Sequence, residues 1–325
     1  MRGNARQSFK GHIQVRTFWL IIGFSLATAR LLRAADNEID VDALMNSAQE
    51  WAKENLDEDA LRVLNEVDQK RVKEVFAQIQ KQFQAQSVLD LAGLRNSITA
   101  ILPLLENNQE TLPYALWLKS RLDYLEIADH LKRTAPPPKV KPGEPPRPLP
   151  NPVPRVEREV WIEKMAQRPW PENAKPYVTI LKPIFVAQKV PGELVWLAEV
   201  ESSFDPRARS PAGAAGLFQL MPDTARRYGL RVVPFFDQRL KPEPSAEAAA
   251  KYLHTLHSEF HDWRLALAAY NSGEGTVRNL LKRYKAHSFD SIAMHLPAET
   301  QMYVPKMEAT LLRREGRQLS ELSVD

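Results

Sequence analysis

The chain contains 325 residues, of which 44% are hydrophobic and 26% are charged. These proportions are ordinary for globular proteins and exclude a wholly disordered or collagen-like chain, while the length suffices for about two domains. The sequence contains no cysteine. Disulfides, zinc–thiolate sites, iron–sulfur clusters, cysteine nucleophiles and a lipid-modified N-terminal cysteine are therefore excluded.

Residues 1–35 are basic and contain an apolar run. Their six positive charges account for more than the net charge of +4, so the rest of the chain carries −2. A nearly neutral remainder lacks the electrostatic footprint of a nucleic-acid-binding protein, and we predict no nucleic-acid partner. The apolar run at 17–29 follows a basic leader and is short for a membrane span, as in a cleaved signal peptide. We expect export to the periplasm or cell envelope, with an uncleaved N-terminal membrane anchor as the alternative.

Residues 36–133 are acidic, with 18 Asp and Glu against 11 Lys and Arg. Apolar residues recur at helical spacing in Asp57–Gln86 and again in Leu116–Leu131. No catalytic grouping is visible in this segment. The sequence predicts a helical module of unknown role, either a scaffold or a site for a protein partner.

The composition changes abruptly at residues 134–155, where ten of the 25 prolines lie between Pro136 and Pro154. Proline fixes φ and removes backbone donors, so this segment is interpreted as a semi-rigid linker. At ~3.1 Å per residue it is long enough to hold its neighbours roughly 60–70 Å apart. If the prolines only space two independent domains, residues 156–325 should fold alone.

The segment 156–325 is predicted to be an all-α domain. Helical patterns alternate with short turns rich in Gly, Pro, Ser and Asn, and no series of alternating strands is visible. The predicted helices are 157–166, 175–188, 192–203, 223–228, 245–260, 262–270, 274–284 and 299–315.

Glu201 is the candidate general acid. On a helix, Leu194, Leu197, Ala198 and Glu201 share one face, so the carboxyl ends an apolar stripe. Burial raises the pKa of a carboxyl group from about 4.3 towards about 6, which a proton donor needs at neutral pH. The alternative, taken alone, is a surface glutamate at a frayed helix end.

Further polar groups follow in three places. The segment from Ser210 to Pro222 combines small residues with Gln219 and Met221, and Gly213 and Gly216 permit close approach of the backbone to a ligand. An apolar helix then ends at Tyr270 and Asn271, and Glu299 opens the last helix together with Tyr303.

In these residues the chain resembles the lytic murein transglycosylases with a soluble-transglycosylase (SLT) domain, and most closely the membrane-bound D type. Four motifs occur in the order and spacing of that family over roughly 125 residues: Glu201-Ser202-x-Phe204-x-Pro206, Ser210-Pro-x-Gly213-Ala-x-Gly216-Leu-x-Gln219-x-Met-Pro222, Ala268-Ala-Tyr-Asn-x-Gly273 and Glu299-Thr-x-x-Tyr-Val304. The lipid-anchor cysteine and the C-terminal glycan-binding repeats of the D type are missing, and the N-terminal module and linker are not part of its pattern.

The resemblance implies a lysozyme-like helical fold and cleavage of peptidoglycan glycan strands. Glu201 would protonate the glycosidic oxygen between N-acetylmuramic acid and N-acetylglucosamine. It would then act as base for the muramyl C6 hydroxyl, giving a 1,6-anhydro product without water. The resemblance also implies that the substrate groove is lined by Ser210, Gln219, Met221, Tyr270, Asn271, Glu299 and Tyr303. From the residues alone, Ser210 is also explicable as a loop or cap residue, Met221 as core and Asn271 as a helix-terminus residue.

Two rival functions remain open at this point. Ordinary glycosidases use two carboxylates, and a goose-lysozyme-type muramidase would need one to orient water. Glu299 is the remaining candidate for that role, but it is more plausibly bonded to the turn at Tyr270 and Asn271. A non-catalytic wall-binding scaffold is the other rival. We predict no cofactor and no metal, although His254, His257 and His261 share a helix face.

Overall fold

The computed structural model describes residues 79–106, 109, 111–136 and 149–323. The expected signal peptide and most of Asp57–Gln86 lie outside these ranges. The chain divides into two compact units, Met1–Asp57 and Glu58–Asp325, and every described residue belongs to the second.

The described part is almost entirely helical, which confirms the all-α prediction. After a helix that ends at residue 84, the α-helices are α1 (Arg95–Glu106), α2 (Leu112–Thr134), α3 (Pro154–Ala166), α4 (Ala174–Ala187), α5 (Leu197–Ser202), α6 (Pro222–Arg227), α7 (Pro242–Phe260), α8 (Trp263–Ser272), α9 (Glu274–Tyr284), α10 (Phe289–Ile292) and α11 (Ala298–Glu315). Short 3₁₀ helices lie at Leu89–Leu94, Gly192–Trp196, Gln238–Leu240, Ala293–His295 and Leu319–Glu321.

One small hairpin interrupts the helices. The strands β1 (Val232–Val233) and β2 (Phe236–Asp237) pair antiparallel, with Val232 opposite Asp237. The sequence did not predict it, because two-residue strands are too short to show an alternating pattern.

Proline explains where several helices begin. Pro154, Pro222 and Pro242 occupy the first turn of α3, α6 and α7. Proline is tolerated there because the amide it lacks has no partner inside the helix. The predicted starts of these helices were one to three residues late, because each proline was interpreted as a boundary. In α8, the Asp262 side chain accepts a hydrogen bond from the Leu265 amide, as an N-cap does.

The buried side chains form two clusters. The larger one lies within residues 174–322 and includes the helix that carries Glu201. The smaller cluster joins apolar side chains of residues 79–131 to Trp161 and Met165 of α3 and to Ala298, Met302 and Ala309 of α11. In addition, α2 packs against α5.

These contacts contradict the interpretation of residues 134–155 as a spacer that holds two independent domains apart. The segments before and after the proline-rich stretch share a core. Where the domains divide stays a prediction. Within the described ranges, no helix is both long and apolar enough to cross a membrane.

Candidate active site

Glu201 lies in the last turn of α5 and is 3% exposed. Its neighbours on the predicted apolar face, Leu197 and Ala198, are completely buried. The helix ends directly after it, because Ser203 and Phe204 adopt positive φ angles of 51° and 61°. The buried ring of Phe204 then fixes the departing chain in the core. Glu201 therefore stands on a rigid helix end, as the apolar stripe predicted.

Both carboxyl oxygens of Glu201 are bound. The Tyr303 hydroxyl donates to Oε1 at 2.6 Å, and Nη2 of Arg121 donates to Oε2 at 3.2 Å. The main-chain carbonyl of Glu201 also accepts from the Ser120 hydroxyl, at 3.2 Å, and from Nη1 of Arg121. The carbonyls of a final helical turn have no partner inside the helix, so α2 satisfies this one.

Burial is the largest influence on the charge state of Glu201 and raises its pKa above the ordinary value. The Arg121 guanidinium and the Tyr303 hydroxyl oppose this shift, whereas the Glu299 carboxylate adds to it. Burial also raises the pKa values of the Tyr303 and Tyr270 hydroxyls, to which the nearby Glu201 charge contributes. The net effect favours a protonated Glu201, which suits a general acid.

Arg121 is the residue at this site that the sequence analysis missed. It lies on α2, 80 positions before Glu201, and its side chain is 4% exposed. Besides Glu201, it binds Glu299, whose Oε1 accepts from Nε at 3.3 Å and lies 3.2 Å from Nη2. The guanidinium thus bridges the two carboxylates.

The expected bond between Glu299 and the turn at Tyr270 and Asn271 is wrong, because the neighbouring residue makes it instead. Glu299 pairs with Arg121, and the next residue, Thr300, donates from its hydroxyl to Oδ1 of Asn271 at 2.6 Å. At the first turn of a helix, adjacent side chains point in different directions, so the spacing identified the turn but not the partner.

The loop from Ser210 to Leu220 is held by its own backbone and by Arg239. At Gly216, with φ +83°, a Cβ atom would lie 1.9 Å from the Arg239 carbonyl oxygen, so only glycine fits. The Arg239 guanidinium donates to the carbonyls of Gly213 and Leu220, at 2.6 and 2.9 Å. The Ser210 hydroxyl accepts from the Ala214 amide at 3.0 Å. Ser210 is therefore a loop-stabilising residue, whatever else it binds.

Three other predicted groove residues differ in their surroundings. The Gln219 amide nitrogen donates to the carbonyls of Ala208 and Gly216, while its buried Oε1 has no hydrogen-bond partner among the described residues. The Tyr270 hydroxyl donates to the Phe218 carbonyl at 2.7 Å. Met221 is 42% exposed and so is not part of the core.

The histidines of α7 do not gather around a site. The His257 ring stacks on Trp263, with ring centroids 3.9 Å apart, and burial lowers its pKa. In the part of the chain that the structure describes, no group of three or more His, Cys, Asp or Glu side chains is arranged to hold a metal ion.

The sequence around this site is similar to that of known proteins. Residues 187–292 match the Transglycosylase SLT domain family. The chain is 44% identical over 140 residues to membrane-bound lytic murein transglycosylase D of Escherichia coli K12, an alignment that covers 42% of this chain and 31% of that protein. It is 31% identical over 143 residues to a putative tributyltin chloride resistance protein of Alteromonas sp. strain M-1, covering 43% of this chain and 69% of that protein.

A solved structure is also similar. The 70 kDa soluble lytic transglycosylase of Escherichia coli aligns over 80% of this chain and 46% of its own length, with a TM-score of 0.38 and 17% identity.

The SLT match contains the short helix whose last turn carries the buried Glu201. The chain therefore contains an SLT domain, and around it the chain is similar to lytic murein transglycosylases, the D type among them. It spans only 31% of the length of the D-type relative.

Proposed function

We propose that the protein cleaves the β-1,4 bond between N-acetylmuramic acid and N-acetylglucosamine in peptidoglycan, leaving 1,6-anhydromuramyl ends. The observation that carries the proposal is the buried Glu201 carboxyl, whose pKa is raised by burial and which the Tyr303 hydroxyl orients from 2.6 Å. A neutral carboxyl in a fixed orientation is what proton donation to a glycosidic oxygen requires.

Glu201 would serve in both half-reactions. As an acid it transfers its proton to the leaving glycosidic oxygen while the C1–O bond breaks. The resulting carboxylate is stabilised by the Tyr303 hydroxyl and the Arg121 guanidinium. It then takes the proton of the muramyl C6 hydroxyl as that oxygen bonds to C1. Atoms balance without water, and the acid is regenerated.

The state of Glu299 supports the lytic reaction over hydrolysis. Inverting and retaining glycosidases need a second carboxylate that is open to water or to the sugar. Glu299, the second carboxylate at this site, is buried and paired with Arg121. In this proposal Glu299 holds Arg121 in place, and the substrate's own hydroxyl is the nucleophile.

The remaining predicted residues are proposed to bind the glycan. The unpartnered Oε1 of Gln219 is an acceptor for a sugar hydroxyl or acetamido N–H, and the exposed Met221 offers apolar surface for a sugar ring. Ser210, Tyr270 and Asn271 line the same groove in this proposal.

The proposal also includes the location and partner of the protein. Residues 1–35 would direct its export, the protein would act in the cell envelope, and residues 36–133 would bind a protein partner.

The test is digestion of purified peptidoglycan sacculi by Glu201→Gln. Glutamine keeps the shape but has no transferable proton, so turnover should fall by about 10²–10⁴-fold. The matched control is Glu193→Gln, which removes a glutamate on the preceding 3₁₀ helix, where it pairs with Arg317. The control should retain activity. A folded Glu201→Gln protein with substantial turnover would refute the assignment.

A further inference from the structure

Arg121 contacts Glu201 at two places, the side-chain carboxyl and the main-chain carbonyl. One guanidinium binds the carboxyl oxygen Oε2, at 3.2 Å, and the main-chain carbonyl of the same residue. Glu299 contacts Nε and Nη2 of the guanidinium, so it shares Nη2 with the Glu201 carboxyl, and the Trp117 ring centroid lies 5.1 Å from the central carbon. The planar guanidinium is suited to such multiple, fixed contacts, which a lysine ammonium cannot reproduce.

The α2 helix itself is fixed beside the site. Nζ of Lys306 on α11 donates to the Ser120 carbonyl at 2.8 Å and lies 3.4 Å from the Asp123 carboxylate. The same ammonium lies over the Tyr124 ring at 4.6 Å from its centroid. Arg121 is thus flanked on α2 by residues that α11 binds, so its position relative to Glu201 is set by more than its own side chain.

We propose that Arg121 is a positioning residue for the acid/base Glu201, supplied by the module that precedes the proline-rich segment. This inference rests on the proposed function of Glu201. Arg121 is buried behind the carboxyl and acts through Glu201, not on the sugar. The helical module is then part of the catalytic apparatus and not only a scaffold.

The physical reason lies in the two charge states of a single acid/base. Burial alone would favour the neutral carboxyl so strongly that the anion formed after proton donation would be costly. Arg121 stabilises that anion, and its bond to the main-chain carbonyl keeps the carboxyl aimed while its charge changes. The charged and titratable groups that act on Glu201 are Arg121 and Tyr124 on α2, Tyr270 on α8, and Glu299 and Tyr303 on α11, while Lys306 on α11 acts on Arg121.

The experiment measures kcat and KM on solubilised peptidoglycan strands across pH for Arg121→Gln and Arg121→Lys in the full chain. The matched control is Arg133→Gln, on the same helix, where the arginine is 71% exposed and pairs with Asp129. Circular dichroism and thermal melts report the fold of each variant.

For Arg121→Gln we expect kcat to fall about ten-fold or more with KM nearly unchanged, because the side chain acts on Glu201 and does not touch substrate. The alkaline limb of the kcat profile should move up by about one pH unit or more, because loss of a cation beside a carboxyl raises its pKa. Arg121→Lys keeps the positive charge but loses the planar guanidinium with its several fixed donors. The alkaline limb of its kcat profile should therefore stay near that of the wild type, while its kcat should lie between those of the wild type and Arg121→Gln. Arg133→Gln should match the wild type.

A folded Arg121→Gln protein with wild-type kcat and an unmoved alkaline limb would overturn the proposal. So would a loss of kcat that tracks loss of folded protein with no movement of the limb, which is the signature of a merely structural role. If Arg121→Gln does not fold, Arg121→Lys decides, and a wild-type kcat in that variant overturns the proposal.

Failure of the proposed function has a different signature. It would show in the unaltered protein as products without anhydro ends, or in Glu201→Gln as retained activity. Neither result depends on Arg121.

Discussion

Removal of all residues before 149 is expected to unfold or severely destabilise what remains. The packing of α2 on α3 and α11 leads to this expectation, which reverses the inference that residues 156–325 fold alone. The fragment 149–325 would lose most members of the smaller cluster, which also contains Met165 and Met302, both completely buried in the whole chain. It would also lose Arg121, the cation that lies between the buried Glu201 and Glu299.

The magnitude follows from these contacts. Exposure of a buried methionine costs about 1.5–3 kcal/mol, and a buried ion pair that loses one partner costs about 3–5 kcal/mol. For the two methionines and one lost arginine, the total is about 6–11 kcal/mol, which is comparable to the whole stability of a typical domain, about 5–15 kcal/mol. The fragment should therefore be largely unfolded at room temperature.

Urea unfolding followed by circular dichroism tests this prediction on the fragments 149–325 and 58–325. The longer one spans the whole second compact unit and serves as the control. It should show a cooperative transition and digest sacculi, while the shorter one should show neither. A cooperative transition and full activity in fragment 149–325 would refute the claim that the two segments share one core.

Three further predictions concern single side chains. Tyr303→Phe removes the donor to Oε1 of Glu201 and should lower kcat about 10- to 150-fold, because a hydrogen bond to a buried charge contributes about 1.5–3 kcal/mol. Steady-state kinetics measure this loss, with Tyr284→Phe, at an exposed tyrosine, as the control. An unchanged kcat in Tyr303→Phe would contradict the role of Tyr303 in orienting Glu201. Glu201→Gln should be no less stable than the wild type at neutral pH: burial raises the Glu201 pKa, so this residue's contribution is present at acidic pH and is lost as pH rises through the folded pKa. Thermal melts across pH check this, and a variant clearly less stable at alkaline pH would contradict it. Burial raises the pKa of Glu157 to about 8, so stability should fall by about 1.4 kcal/mol per pH unit between its ordinary value and that pH. Glu157→Gln should abolish that slope in urea titrations, and an unchanged slope would refute the assignment.

The helices and the burial of Glu201 were predictable because the spacing of apolar residues that indicates them lies within a short stretch of sequence. Apolar spacing located α3, α4, α6 to α9 and α11 to within three residues, whereas α5 begins five residues after its predicted start because Gly192–Trp196 is a 3₁₀ helix. The stripe that ends at Glu201 predicted its burial, because a residue on the apolar face of a helix follows its neighbours into the core. The short α10 and the two-residue strands gave no such signal.

Arg121 was not predictable in this way, because its partners lie 80 and 178 positions further along the chain. An arginine in a helix is usually a solvated residue. One signal was available. Leu118, Leu125 and Ala128 are buried apolar residues on one face of α2, and Arg121, three residues after Leu118 and four before Leu125, lies on that same face.

The mass of the glycan ends released from purified sacculi in water labelled with heavy oxygen distinguishes a lytic reaction from hydrolysis. We expect the wild-type protein to release muramyl ends one water lighter than reducing ends, with no label incorporated, and Glu201→Gln to release almost none. Reducing ends that carry the heavy oxygen would show that water is the nucleophile, and the claim that Glu201 acts as a single acid/base in a lytic reaction would be wrong.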